Sequence, residues 1–152
     1  MIRSCAACGQ KNRVQAANLA DSGVCGRCKA PLPPVAEPLE ADLELFEEVV
    51  KGARVPVLVD FWAAWCAPCR AAAPEVKRTA ADMAGAALVL KVDTEAHPDL
   101  AARYGIRGIP NFMVFKWGSP VFQQAGLVGH AQMEQWLKDA SGGASAPGRG
   151  DS

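Results

Sequence analysis

Residues 57–70 read Val57-Leu58-Val59-Asp60-Phe61-Trp62-Ala63-Ala64-Trp65-Cys66-Ala67-Pro68-Cys69-Arg70. The apolar run from Val55 to Ala63 is broken only by Asp60. Such a run suits a central strand covered on both faces, because neither face meets water and the polar–apolar alternation disappears. An Ala-rich segment follows the cysteine pair to about Met83 and reads as a long helix, with Pro74 expected to kink it. Cys66 therefore sits where a buried strand turns into a helix. A thiolate, not a thiol, attacks a disulfide. Unpaired N–H groups and the positive end of the helix dipole favour that anion at Cys66. Two intervening residues bring Cys69 one turn later, within disulfide reach. Pro68 fits and stiffens the first turn. Redox chemistry is favoured here over a pair of zinc ligands or two buried structural thiols.

Outward from this stretch the elements alternate. Asp42 to Lys51 reads as an amphipathic helix with Leu43, Phe46, Val49 and Val50 on one face. Ala87 to Asp93 reads as a second buried strand, and Pro98 to Tyr104 as a short helix with Pro98 in its first turn. Asn111–Trp117 and Val121–Gly126 read as strands joined by a Gly118-Ser119-Pro120 hairpin turn. His130 to Ala140 closes the domain as a helix with Met133, Trp136 and Leu137 inward. The order α-β-α-β-α-β-β-α predicts an α/β fold, a mixed central sheet flanked by helices. His97 and His130 read as helix-start or surface residues rather than catalysts.

The 152 residues carry 16 basic and 16 acidic side chains, a formal net charge of zero, which argues against a nucleic-acid partner. No apolar run reaches the roughly 18 residues of a membrane span. No signal-peptide segment precedes the domain, so a cytoplasmic location is expected, where structural disulfides are rare. Six cysteines then call for metal or redox chemistry. Cys5/Cys8 and Cys25/Cys28, sixteen residues apart, have the spacing of a four-cysteine zinc site, a knuckle or ribbon. One structural Zn2+ is the expected ligand, because four thiolates leave no open position; two disulfides are the rival reading. Arg3, Lys11, Arg13, Arg27 and Lys29 would offset the net charge of such a site, and Gly9, Gly23 and Gly26 would supply backbone freedom. The expected organisation is a knuckle over residues 1–29, a Pro-rich linker over 30–38, the main domain over 39–140 and a disordered Gly/Ser-rich tail over 141–152. Arg149-Gly150-Asp151 in that tail reads as a chance tripeptide.

Val57 to Ala63 followed by Trp65-Cys66-Ala67-Pro68-Cys69 resembles the thioredoxin family, over about Leu39 to Ala140. With the four-cysteine extension the chain looks like the zinc-containing thioredoxin 2 type. The family usually has Gly where Ala67 stands, and Thr where Asn111 follows Pro110. The resemblance implies a thioredoxin fold and protein-disulfide reduction, with Cys66 as nucleophile and Cys69 as resolving thiol. It implies that Asp60, whose acidity burial in the strand should weaken, exchanges a proton with Cys69, and that Lys91 neighbours it from the next strand. It further implies a cis Ile109–Pro110 bond, and substrate contacts from Trp65, Ala67, Pro68, Ile109 and Pro110. Trp62, and Gly126 by analogy, would complete the rim, although plain core packing suits Trp62 equally.

The expected partners are protein disulfides and an NADPH-dependent thioredoxin reductase. A monomer without an organic cofactor is expected. Two other readings stay open from sequence: a zinc-dependent, redox-regulated chaperone or binding module, and a disulfide oxidase or isomerase.

Overall fold

The computed structural model describes residues 1–142. Its central strand is β6 (Val57–Trp62), as the apolar run dictates. In chain order, β1 (Ile2–Ser4), β2 (Lys11–Arg13), β3 (Gly23–Val24) and β4 (Pro31–Leu32) form the N-terminal segment. The main domain adds β5 (Leu39–Glu40), α1 (Leu43–Gly52), β6, α2 (Ala67–Asp82), β7 (Leu88–Asp93), α3 (Pro98–Arg103), β8 (Asn111–Lys116), β9 (Ser119–Ala125) and α4 (His130–Gly142). The five strands of the domain form one sheet in the order β5-β7-β6-β8-β9. β6 runs parallel to β7 and antiparallel to β8, so the sheet is mixed.

Period-two geometry divides the central strands between two cores. Val57, Val59 and Phe61 of β6 pack with Leu88, Leu90, Phe46, Val49 and Leu100 on the α1 and α3 side. Leu58 packs with Val89, Phe112, Val76, Met133 and Leu137 on the α2 and α4 side. Asp60 shares the parity of Leu58 and so belongs to the α2 face, the face that carries the redox pair. Asp42 caps α1, its Oδ1 accepting the Leu45 N–H at 2.8 Å. Pro74 lies on the exposed side of α2, and the helix continues across it to Asp82.

Three features depart from the sequence reading. First, β5 was not foreseen; it is two residues long and pairs parallel with β7 at the sheet edge. Second, the hairpin turn is Trp117-Gly118, one residue earlier than expected, with Lys116 opposite Ser119. A two-residue turn of this hand needs positive φ at both central residues, and Trp117 (55°) and Gly118 (82°) supply it. Ser119 and Pro120 thus start β9, an edge strand where a missing N–H is tolerated. Third, α4 runs to Gly142. The rest of the tail, residues 143–152, lies outside the described residues.

The segment expected to be a spacer takes part in packing. β4 pairs with β3, and Leu32 and Val35 are buried. Val35 N–H donates to Leu19 O at 3.0 Å. Leu19, Ala16 and Val35 belong to the same core cluster as Phe46, Val49 and Val50 of α1. The approach is close: a Cβ on Gly52 would stand 3.1 Å from the Ala16 Cβ. The N-terminal segment is therefore seated on α1. Replacing the fully buried Leu19 by Ala should lower the unfolding free energy of the intact chain by about 2–4 kcal/mol. Urea denaturation checks this; a segment merely tethered to the domain would leave the domain's transition unmoved.

Candidate active site and candidate metal centre

Cys66 is the N-cap of α2, with extended backbone (φ −87°, ψ 112°), and its sulfur accepts the Cys69 N–H at 3.2 Å. A sulfur can occupy the capping position because the first-turn N–H groups have no intrahelical partner. Cys66 and Cys69 are joined in a disulfide, their Cα atoms 5.2 Å apart. Both are nearly buried, and with Ala63 they form a small apolar cluster that Trp62 and Ile109 flank. Ala67 and Pro68 are exposed beside them, and Trp65 is 66% exposed. The Ile109–Pro110 bond is cis, and Ile109 O lies 3.6 Å from the Cys66 sulfur. Pro110 O accepts the Gly126 N–H at 2.8 Å, which brings Gly126 (φ 101°) to the same region. Buried Asn111 is satisfied across the sheet, its Oδ1 accepting from Gln123 at 3.1 Å.

Asp60 is 1% exposed, and its Oδ1 has no protein hydrogen-bond partner. Burial pushes its carboxyl from the ordinary 3.8 up to about 7; the Lys91 cation opposes this and the Glu40 carboxylate adds to it. Lys91 stands opposite Asp60 in the register of β7 and β6. Its ammonium lies 4.6 Å from the Trp62 ring centroid, a cation–π contact, and 3.9 Å from Glu40 Oε2. Trp62 thus lies between the Lys91 ammonium and the cysteine cluster that it flanks. Glu40 escaped the sequence reading, because a two-residue edge strand leaves no periodicity to read.

The two N-terminal Cys-x-x-Cys turns are built alike. Cys5 N–H bonds to Gln10 O and Gly9 N–H to Cys5 O; Cys25 N–H bonds to Ala30 O and Lys29 N–H to Cys25 O. The left-handed residue comes fourth after the first cysteine each time, Gly9 (φ 78°) and Lys29 (φ 66°). Gly23 and Gly26 were expected to share this task, but the second turn uses Lys29 instead. The four sulfurs converge, with Cys5–Cys28 at 3.6 Å and Cys8–Cys25 at 3.7 Å. Tetrahedral Zn–S bonds of 2.3 Å require S···S separations of about 3.8 Å, so the donor set fits zinc. The Cys28 and Arg27 backbone N–H groups, then the Asn12 side chain, favour the Cys25 thiolate and bring that thiol down to about 6. The sequence-predicted residues thus form two centres, one redox and one metal-binding. His97 and His130 join neither; each stands at the start of a helix, and His130 Nδ1 bonds to Glu75 at 2.7 Å.

A disulfide at the mouth of a helix, beside a cis-proline and an exposed tryptophan, defines a thiol–disulfide oxidoreductase. Residues 37–139 match the sequence model of thioredoxin, and residues 4–30 that of the thioredoxin 2 N-terminal segment. Thioredoxin C-3 of Corynebacterium nephridii is 36% identical over 137 residues, 90% of this chain and 93% of its own. Thioredoxin 1 of a Nostoc species is 45% identical over 93 residues, 61% of this chain and 87% of its own. A solved mutant thioredoxin from Halobacterium salinarum superposes with a TM-score of 0.65 at 29% identity, covering 74% of this chain and 96% of its own. The chain belongs to the thioredoxin family, with an N-terminal zinc ribbon of the thioredoxin 2 kind. It is a protein-disulfide reductase of that family. No helix among the described residues is long and apolar enough to cross a membrane.

The raised Asp60 carboxyl makes a stability prediction. The folded state holds this proton more tightly than the unfolded chain. The contribution is present in full below about pH 4 and is lost as pH rises through about 7. Asp60→Asn should therefore be increasingly stabilising as pH rises from 4 to 8, by up to about 4 kcal/mol. Urea midpoints across that range measure it; a pH-independent difference would contradict it.

Proposed function

We propose that this chain reduces protein disulfides by dithiol–disulfide exchange in which Cys66 attacks and Cys69 resolves. The observation that carries the reading is the Cys66 sulfur held as the cap of α2 by the Cys69 N–H. The Cys66 thiolate attacks one substrate sulfur, breaks the substrate S–S bond and forms a mixed disulfide. The released substrate thiolate takes up a proton. Asp60 accepts the proton of Cys69, and the Cys69 thiolate attacks the Cys66 sulfur. The mixed S–S bond breaks, the second substrate sulfur leaves as a thiolate and takes up a proton, and two electrons have passed to the substrate. The product on the protein is the Cys66–Cys69 disulfide found here. Lys91 offsets the Asp60 charge.

Exposed Trp65, Ala67 and Pro68, with Ile109 and Pro110, form the surface for an extended substrate segment, whose backbone meets the Ile109 carbonyl region. An NADPH-dependent thioredoxin reductase restores the dithiol, and the protein works as a monomer in a reducing compartment such as the cytoplasm. No organic cofactor takes part. The domain proper runs from β5 to the end of α4, after a ribbon that ends with β4 and a short connecting segment. Cys5, Cys8, Cys25 and Cys28 hold one Zn2+; the ion supplies a structural cross-link, since the four sulfurs fill its shell.

In an NADPH-coupled insulin assay, Cys66→Ser should lose at least about 100-fold in rate. Cys69→Ser should accumulate a mixed disulfide with substrate, visible by mass. Equal activity of either variant and the wild type would contradict the assignment. Released-zinc titration with a chromogenic chelator should find one ion per chain, lost in Cys25→Ser, with a lower unfolding temperature after removal.

A further inference from the structure

Three ionisable side chains stand in one row across the sheet. Glu40 of β5 is in register with Lys91 of β7, and Lys91 with Asp60 of β6. Directly opposed residues on neighbouring strands project from the same face. The cation is thus flanked by two carboxylates, one at the sheet edge and one in the core. Glu40 is more than half exposed, whereas Asp60 is sealed. Among the described residues the Lys91 ammonium has one ion pair within 4.0 Å, and it is with Glu40, at 3.9 Å. The same ammonium leans on the Trp62 ring at 4.6 Å, and Ala41 N–H donates to Lys91 O at 2.8 Å, which fixes the edge strand against it.

We propose that Glu40 is a positioning residue for the acid–base step: it draws the Lys91 ammonium toward the sheet edge and withholds a full counter-ion from Asp60. The inference rests on Asp60 serving Cys69, as proposed above. The charged groups that act on Asp60 are Lys91 from β7 and Glu40 from β5, and α2, which packs on the same face, carries Cys69. β8 offers Phe112 opposite Asp60. Asp93 and His97 lie close enough to influence Glu40 itself. A carboxylate at Glu40 acts on Asp60 in one direction by two routes. Its own charge disfavours a second carboxylate nearby, and its hold on Lys91 weakens the attraction that would favour one. Removing that charge should make Asp60 more acidic by both routes. The edge exposure of Glu40 means the substitution removes no core packing.

The test uses the reduced, full-length, zinc-loaded chain. Carbon NMR of labelled aspartate follows the Asp60 carboxyl in wild type, Glu40→Gln and Glu40→Asp, with Asp60→Asn identifying the signal. The Asp60 midpoint should fall by about half a pH unit or more in Glu40→Gln, and return at least half-way in Glu40→Asp, which keeps the charge. An unmoved midpoint in Glu40→Gln, or equal movement in both variants, overturns the proposal. The pH profile of mixed-disulfide resolution, measured in parallel, separates this inference from the reading beneath it. If Asp60→Asn leaves that profile unchanged, the acid–base role of Asp60 fails, whatever the NMR midpoints do. If Asp60→Asn abolishes the inflection while Glu40→Gln leaves it in place, only the role of Glu40 fails.

Discussion

A sulfur atom takes the place of a capping oxygen at the start of α2, and the redox centre is arranged around that substitution. The first N–H groups of a helix must find acceptors, and here Cys69 N–H finds Cys66. The interaction is worth more to an anion than to a neutral thiol. It thus favours the form of Cys66 that the proposed exchange requires. It requires that β6 deliver the chain to the helix start at a fixed angle, which a strand buried on both faces and paired on both edges can do. It also requires that the resolving sulfur follow one turn later, which Pro68 in the first turn assists.

The same spacing of two cysteines yields another outcome in the ribbon. There each pair lies in a tight turn between short antiparallel strands, and the two turns face each other so that four sulfurs converge. At Cys66 the second sulfur follows on a helix with no further cysteine beside it, so within the described residues the pair joins to itself. Fold context, not the dipeptide between the cysteines, separates metal chemistry from redox chemistry in this chain. The ribbon is nonetheless part of the domain's energetics, because Leu19 and Val35 complete the core over α1.

Most of the redox centre was legible in the sequence. The apolar run announced a central strand, and Asp60, which alone breaks it, announced a costly buried carboxylate. The doubled cysteine spacing announced the metal site, and the strand before and helix after Cys66-Ala67-Pro68-Cys69 announced the redox pair. Four things were hidden for physical reasons. β5 is too short for periodicity, so Glu40 had no signal. The turn at Trp117-Gly118 places a bulky residue in left-handed backbone, which local propensity does not anticipate. Leu32 and Val35 sit in a Pro-rich segment that composition alone reads as a spacer, while Leu32 is buried against Cys5 and Cys25 of the ribbon and Val35 in the core over α1. Lys29 likewise took a left-handed turn position that glycines were expected to fill.

The most direct measurement is the alkylation rate of Cys66 in the reduced, zinc-loaded protein at neutral pH, set against the same thiol in the urea-unfolded chain. If the helix start holds the sulfur as an anion, the folded protein should react at least about fivefold faster, with mass mapping placing the label on Cys66. Equal or slower reaction in the folded state, at a thiol shown to be accessible to a small reagent, would contradict the account.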